Sequence, residues 1–409
     1  MENLPSDILR EIFDLLDPYW DEYSTANYWL RIPKRYKHAE NQRDLSDLAK
    51  LRLVCKRFSS LGASYLFRCV VQRFNRESFR RLECLAEHPE LGNHVKQFVY
   101  LMPYLYVKGP KDFDTFKSEG PQLCRDSMTR KIFDDDQFVY PRLYAEQQDI
   151  IKSSYDLHVL KKAMKSFKSL QRVTVLQTAG HLHHQLQHQE QPHHVWDYVY
   201  CSWAPASQRV VETMLQALQY GNSGVKSFVC PMISPQGLVK INYNIQQIAL
   251  GGVWRQLTHL ELSFDDKELS MNWPNGVNGR DQGNLDERIL LLSELFFKDL
   301  FTTAENLSTI FLGFDPNRPL NIPLERVFHN VSWPKLKSLG LESWRLSAAE
   351  IIEFLKRHRK TLRGLRLGNI RLRDGDLWRD IVIALKRYAR ELQVISLDGC
   401  GYEKEFDKR

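Results

Sequence analysis

Three stretches near the carboxyl end of the chain repeat one pattern: LKSLGLESWRL at 336–346, LRGLRLGNIRL at 362–372 and LQVISLDGCGY at 392–402. Each has apolar residues at its first, fourth and sixth positions, and the starting points lie 26 and 30 residues apart. Alternation of apolar and other residues over a few positions is typical of a strand with one buried face. Repetition at such a period indicates units that stack on one another. These stretches therefore predict a series of short, stacked strands.

The same apolar triplet occurs eight times from residue 95 onward. The triplets are Val95-Phe98-Tyr100, Leu170-Val173-Val175, Val225-Phe228-Cys230, Leu257-Leu260-Leu262, Leu307-Ile310-Leu312, Leu336-Leu339-Leu341, Leu362-Leu365-Leu367 and Leu392-Ile395-Leu397. The earlier triplets are separated by longer and less regular distances, which we interpret as insertions near 103–148, 178–206 and 265–286. The pattern thus predicts an irregular repeat region over 95–409.

Helical periodicity separates most of these triplets. Apolar residues return every three or four positions in five segments, at 149–168, 207–220, 287–305, 347–360 and 376–391. One strand and one helix cannot bury their apolar faces alone, so successive units must stack. We predict an α/β solenoid in which strands line the concave side of an arc and helices line its convex side.

Composition limits the class of protein. The chain has 409 residues, 43% of them hydrophobic, and no apolar run of the roughly 18 residues that a membrane helix needs. Its net charge of +7 is spread along the sequence, which argues against a nucleic-acid-binding stripe. Seven cysteines without a C-x-x-C pair argue against a disulfide framework or a cysteine zinc site. We expect no membrane or nucleic-acid partner and a location in the cytoplasm, the nucleus or both.

No segment predicts enzyme chemistry. The chain contains neither a G-x-x-x-x-G-K-[ST] phosphate loop nor a G-x-S-x-G nucleophile turn. Six histidines within 181–194 have two open interpretations, a polar insertion or a metal-binding segment. Acidic clusters at 134–136 and 265–268 have no partner at a diagnostic spacing and are interpreted as solvated loops. We therefore predict a non-catalytic protein with no cofactor and no metal site.

The amino-terminal residues predict a helical unit. LPSDILREIFDLLD, from residue 4 to 17, carries an apolar stripe on a helix that starts at Pro5 or Ser6 and stops at Asp17-Pro18. A second helical pattern runs from about Asp44 to Phe58, and a short third one follows. The aromatic and basic segment 18–43 between them either binds a partner or packs onto its own domain.

LPSDILREIFDLL and the later DLAKLRLVCKRFSSLGASYLFR resemble the F-box, and an F-box followed by leucine-rich repeats is a familiar arrangement. FRRLECLAEHPELGNHVKQFVY, at 79–100, is similar to the connecting segment of fungal members. The resemblance implies a three-helix F-box over residues 1–68 with an inserted loop at 18–43, a helical linker at 69–94, and the repeat region beyond. Family members usually join their first two helices by a shorter link, and a bulky insertion there would affect access to the adaptor surface.

The resemblance also implies a function. F-box proteins of this kind are non-catalytic substrate receptors of Skp–cullin–F-box ubiquitin ligases: the F-box binds a Skp-type adaptor, which attaches to a cullin, and the repeats bind a target protein. The adaptor-binding positions that the resemblance implies are Leu4, Pro5, Ile8, Leu9, Ile12, Leu51, Val54, Cys55 and Phe58. Which of them face the adaptor and which face the internal core stays open at this point. The alternative function is a repeat scaffold that joins the adaptor without promoting ubiquitination, and a third is a histidine-dependent metalloprotein.

Side chains between the buried positions of each strand point to the opposite face of the sheet, because side chains alternate along a strand. This face mixes apolar, polar and charged residues, which favours a protein or a small ligand over nucleic acid, and the resemblance implies a protein substrate. The candidate substrate-binding residues are Arg172, Thr174, His259, Glu261, Ser263, Thr309, Phe311, Ser338, Glu342, Arg366, Ser396 and Asp398. The alternative is an ordinary solvated sheet face.

Overall fold

The structure is a computed structural model that describes residues 5–16, 46–103, 105–106, 139–178, 201–241, 251–264, 285–316 and 318–406. The strands are β1 (Cys69–Arg73), β2 (Gln97–Pro103), β3 (Leu105–Tyr106), β4 (Arg172–Thr178), β5 (Cys201–Ser202), β6 (Ser227–Ile233), β7 (His259–Phe264), β8 (Thr309–Gly313), β9 (Ser338–Glu342), β10 (Arg345–Leu346), β11 (Gly364–Gly368), β12 (Arg371–Leu372), β13 (Val394–Asp398) and β14 (Gly401–Tyr402).

The helices are α1 (Ser6–Leu16), α2 (Ser46–Leu51), α3 (Lys56–Leu66), α4 (Arg76–Ala86), α5 (Pro89–Gly92), α6 (Val139–Ser153), α7 (Tyr155–Ser166), α8 (Trp203–Tyr220), α9 (Pro235–Val239), α10 (Leu285–Leu292), α11 (Lys298–Thr303), α12 (Leu324–Phe328), α13 (Ala348–Arg357), α14 (Trp378–Tyr388) and α15 (Glu403–Phe406). A π-helical turn, Ser293–Phe297, joins α10 to α11.

One parallel sheet of nine strands organises the chain. Its order is β1-β2-β4-β6-β7-β8-β9-β11-β13, so that each new strand is added beside the previous one as the chain proceeds. Helices connect most of these strands, as parallel pairing requires crossover connections. The chain therefore has an α/β fold, and the sequential strand order is compatible with the predicted solenoid.

The apolar triplets coincide with the strands of this sheet. Their middle residues are partners in adjacent strands, in the order Phe98, Val173, Phe228, Leu260, Ile310, Leu339, Leu365 and Ile395. The first seven triplets are fully buried, whereas Ile395 and Leu397 of the eighth are about half exposed. The strand positions that the repeat pattern predicted are thus confirmed, and the burial of the last triplet is not.

A left-handed residue follows each of the last three strands. Ser343, Asn369 and Gly399 have φ values of 59°, 48° and 61° and occupy equivalent places after β9, β11 and β13. The Asn369 side-chain amide donates to the Ser343 hydroxyl at 3.2 Å, which links two of these turns. The turn redirects the chain into β10, β12 and β14, which pair in parallel as a second, three-stranded sheet.

The amino-terminal helices have a core of their own. Leu9, Phe13, Leu48 and Phe58 form a buried cluster that is separate from the main core. The Phe13 ring stacks on Tyr65 with centroids 5.3 Å apart. Burial, and secondarily the Asp14 carboxylate, raises the pKa of the Tyr65 hydroxyl to about 12. These contacts hold α1 against α3.

Two predictions near this unit are corrected. The predicted helix from Asp44 to Phe58 is interrupted, because Cys55 adopts an extended conformation and caps α3, with its Sγ accepting from the Phe58 N–H at 3.5 Å. The segment 69–94, predicted as a helical linker, contains the helices α4 and α5 but begins with β1, the first strand of the main sheet.

Helices and strands lie inside two of the predicted insertions, where their residues are described. Helix α6 begins at Val139, inside the predicted insertion 103–148, and β5 and α8 begin inside the predicted insertion 178–206. The predicted helix 149–168 is two helices, α6 and α7, because Ser154 between them has a left-handed φ of 53°. No described helix is long and apolar enough to cross a membrane.

Candidate functional site

The candidate substrate-binding residues lie on three rows across the sheet. Strand register places Thr174, Glu261, Phe311, Arg366 and Ser396 on the middle row. A second row carries Arg172, His259, Thr309 and Ser338, and a third carries Ser263, Glu342 and Asp398. Alternation along the strands thus brings all twelve onto one face, opposite the apolar triplets.

Arg366 lies at the centre of this face between β9 and β13. Its guanidinium carbon lies 5.6 Å from the centroid of the Phe311 ring, and its Nη2 lies 3.5 Å from Oε2 of Glu342. The whole residue is only 6% exposed. A cation on an aromatic face beside a carboxylate is stabilised by both groups. The contacts fix the direction of the Arg366 side chain along the sheet surface.

Gly340 makes room for the Phe311 ring. A Cβ atom added at Gly340 would lie 2.5 Å from Cδ2 of Phe311, so the ring lies across β9 where that strand has no side chain. Phe311 belongs to β8 and Arg366 to β11, on either side of β9. The glycine therefore permits the contact between two side chains that are two strands apart.

Carboxylates surround this arginine. Burial raises the pKa of Glu342 above its usual value; the Arg366 cation opposes this shift, whereas Asp398 and Glu261 increase it. The Oε2 of Glu261 lies 3.9 Å from Nε2 of His259. The face from β7 to β13 thus carries closely spaced acidic, basic and aromatic groups, which suit binding of a polar protein surface.

Thr174 lies in a different environment. Thr174 is buried, and on the same face Val99, Leu101 and Leu176 form a small apolar cluster on β2 and β4. The nearly continuous apolar sequences FVYLM at 98–102 and VTVL at 173–176 are typical of strands buried on both faces. That signal distinguishes this buried part of the sheet from the polar face at β7–β13, and the sequence prediction did not use it.

The nine predicted adaptor-binding residues also divide by burial. Leu9 and Phe58 are core residues, Ile12, Leu51 and Cys55 are half-buried, and Pro5, Ile8 and Val54 are exposed, while Leu4 lies outside the described residues. Two exposed leucines were missed by the sequence prediction: Leu15 and Leu53. The apolar stripe of a helix does not show which of its residues face the core and which face a partner. Both sides of a thin three-helix unit carry apolar residues.

Several predictions fall outside the described residues: the aromatic insertion 18–43, the histidine cluster at 181–194 and the acidic clusters at 134–136 and 265–268. Within the described ranges, no group of three or more histidine, cysteine, aspartate or glutamate side chains is placed to hold a metal ion. Five cysteines whose side chains the structure describes are free thiols: Cys55, Cys69, Cys84, Cys230 and Cys400. Burial raises the pKa of the Cys230 thiol to about 12, so this thiol stays protonated at neutral pH.

Comparisons with known proteins do not extend these findings. No family model matches the chain. A search of curated proteins also finds no match.

Replacing Gly340 tests the geometry of the face. We expect Gly340→Ala to lower the free energy of unfolding by about 1–3 kcal/mol, because the added methyl group displaces the Phe311 ring from its place beneath Arg366. Gly368→Ala is the matched control, since its Cβ would meet only the flexible side chain of Glu342, at 3.3 Å. Urea denaturation measures both, and equal effects would contradict the assigned packing.

Proposed function

We propose that this chain is the substrate-recognition subunit of a Skp–cullin–F-box ubiquitin ligase, with an F-box at 1–68 and a leucine-rich-repeat solenoid beyond it. The observation that carries the proposal is the helical unit α1–α3, which has its own buried core and exposes large apolar side chains. The exposed set is Ile8, Leu15, Leu53 and Val54. Exposed apolar groups of this density on a small unit mark an interaction surface.

These exposed apolar residues would pack against a helical surface of a partner protein. A Skp-type adaptor binding the exposed side of α1 and the turn before α3 would bury Ile8 and Val54 without disturbing the cluster around Phe13. The adaptor in turn binds a cullin, which gives the chain its place in the ligase. In this arrangement the chain is a non-catalytic receptor that positions the target.

The polar face of β7–β13 supports the other half of the proposal. It combines the Phe311–Arg366 contact with the carboxylates of Glu261, Glu342 and Asp398 on adjacent strands. A strand-lined face with fixed side chains of both charges is a suitable surface for a protein target. We propose a cytoplasmic or nuclear location, where the free thiols of the chain stay reduced.

Co-expression of the full chain with a Skp-type adaptor tests adaptor binding. We expect a 1:1 complex by size-exclusion light scattering, and we expect the double variant Ile8→Asp, Val54→Asp to weaken it at least about a hundredfold, because two desolvated apolar anchors are lost. Both positions are exposed, so the thermal unfolding of the variant should match that of the unaltered protein.

Leu291→Asp is the control for this experiment, because Leu291 is similarly exposed but lies on α10. Absence of a complex with the folded, unaltered chain would contradict the F-box assignment. A complex of the chain with the adaptor that neither binds a cullin nor supports ubiquitin transfer would favour the alternative, a non-catalytic binding scaffold.

A further inference from the structure

The last strand of the main sheet leaves its apolar side chains uncovered. Ile395 and Leu397 on β13 are 49% and 46% exposed, whereas Leu365 and Leu367, their partners on β11, are 1% exposed. The preceding helix α14 adds the half-exposed side chains of Val382 and Ile383, and Leu377, at the N-cap of this helix, is also half-exposed. A stack of repeats stays soluble as a monomer when its terminal unit has a polar outer face. At this end, both the sheet and the helix layer expose apolar side chains.

The backbone of β13 also has an open side. Within the described part of the chain, β13 pairs with β11 alone. The N–H of Val394 donates to the residue before β11, and the C=O of Asp398 accepts from the residue after it. Both backbone groups of a strand residue point the same way. The N–H and C=O groups of Ile395 and Leu397 therefore point away from β11, toward the edge.

We propose that β13 pairs antiparallel with β13 of a second copy of this chain, about a two-fold axis at Ser396. In this register Ile395 lies opposite Leu397 of the second copy, and Leu397 lies opposite its Ile395. Both pairs have edge-directed backbone groups, so each forms the two hydrogen bonds of a closely spaced antiparallel pair. Their side chains meet on the apolar face and continue the core across the axis.

Charge at the two ends of the strands favours the antiparallel direction. The chain before the last strands is net basic on its exposed side, with Lys337, Arg363 and Arg390 outweighing Glu391. The carboxyl ends of the same strands carry Glu342 and Asp398. A two-fold axis at Ser396 brings the basic end of each copy beside the acidic end of the other. The surface is thus complementary to itself in charge as well as in apolar pattern.

Devices that usually prevent edge pairing are missing from β13. Protective edges carry lysine, proline, a bulge or a charge that points into the sheet. The five residues VISLD of β13 include neither lysine nor proline, and they pair with β11 in unbroken register. Their only charged residue, Asp398, lies at the end of the strand. Pairing with a second copy would remove this edge from solvent.

Light scattering of the full chain without any adaptor tests the proposal. We expect twice the mass of one chain in a concentration series reaching about 100 µM, where a micromolar affinity saturates. Ile395→Lys with Leu397→Lys should return the protein to the mass of one chain, with an unchanged circular dichroism spectrum. Leu291→Lys, an exposed leucine on α10, should leave the dimer intact.

A cysteine at the axis tests the register. The two copies of residue 396 form the non-hydrogen-bonded pair, with Cα atoms about 4.5 Å apart, which suits a disulfide. We therefore expect Ser396→Cys to yield a covalent dimer on mild oxidation, beyond any seen for the unaltered chain. Val394→Cys is the matched control, because the two copies of residue 394 lie about 14 Å apart, four residues along the strand.

Three results would overturn the proposal: a single-chain mass at every concentration, a dimer that survives the double lysine variant, or equal cross-linking by Ser396→Cys and Val394→Cys. Adaptor binding takes no part in these measurements. The outcome is therefore independent of the proposed ligase function.

Discussion

Arg209→Ala is expected to lower the free energy of unfolding by about 3–5 kcal/mol, because it leaves a fully buried carboxylate without its cation. Asp156 on α7 is 0% exposed. Its two oxygens accept hydrogen bonds from Nε and Nη2 of Arg209 at 2.9 Å and 2.6 Å. This bidentate pair joins α7 to α8 beneath the sheet. Urea denaturation followed by circular dichroism measures the change.

Arg326→Ala is the matched control for this prediction. Arg326 and Glu294 are 4.0 Å apart and about half exposed, so the loss of this pair should cost less than about 1 kcal/mol. A second variant separates charge from packing. Replacing both Asp156 and Arg209 by leucine removes the buried charges together and should recover most of the lost stability. A similar loss for Arg209→Ala and Arg326→Ala would contradict the role assigned to burial.

The sheet was largely predictable because its signal is local and repeated. Alternation within a strand and the recurrence of the triplet identify β2, β4, β6, β7, β8, β9, β11 and β13 from the sequence alone. β1 was missed because the equivalent triplet is Phe67, Val70 and Gln72, and its third residue is polar. Gln72 is nevertheless buried, with its amide donating to the Arg73 carbonyl at 2.6 Å.

Burial at the end of the stack was not predictable from the pattern. Leu392, Ile395 and Leu397 match the triplet as well as Leu362, Leu365 and Leu367 do. Whether a triplet is covered depends on the neighbouring unit, which the triplet itself does not encode. The pattern therefore predicts strand position, and the tertiary structure decides exposure.

The sequence predicted which face of the sheet carries the candidate site, but not how the side chains of the site contact one another. Alternation placed Glu261, Phe311 and Arg366 on one side of the sheet. It did not indicate that Arg366 would be buried, because that burial depends on the Phe311 ring crossing β9 above Gly340. The glycine is visible in the sequence, yet its significance follows only from the register of three neighbouring strands.

Burial of His358 predicts a loss of stability in acid. The ring stacks on Trp333 with centroids 5.8 Å apart, and its Nε2 accepts from the Trp333 backbone N–H at 3.2 Å. The proton of the neutral imidazole is then on Nδ1, which donates to the Phe354 carbonyl at 3.2 Å. Burial, with a smaller contribution from Arg357, lowers the pKa of His358 from its ordinary 6.5 to about 4.

The sign of the pH dependence follows from this shift. Because the folded pKa lies below the unfolded one, the unfolded chain binds a proton first as the pH falls. The contribution of His358 is therefore complete above pH 6.5 and is lost as the pH falls toward 4, by about 3 kcal/mol in total. His358→Gln removes the titrating group, so urea unfolding from pH 7 to pH 4 should show a steeper fall for the unaltered chain.

A direct titration keeps this prediction testable if His358→Gln does not fold. The imidazole resonances of His358 in the unaltered protein should keep their neutral chemical shifts until the pH approaches 4. A titration midpoint near 6.5 in the folded protein would show that the ring is accessible to solvent, and parallel pH profiles for the two proteins would show the same. Because the Trp333 N–H occupies Nε2, protonation must break that hydrogen bond, and the loss of stability and the loss of stacking should occur together.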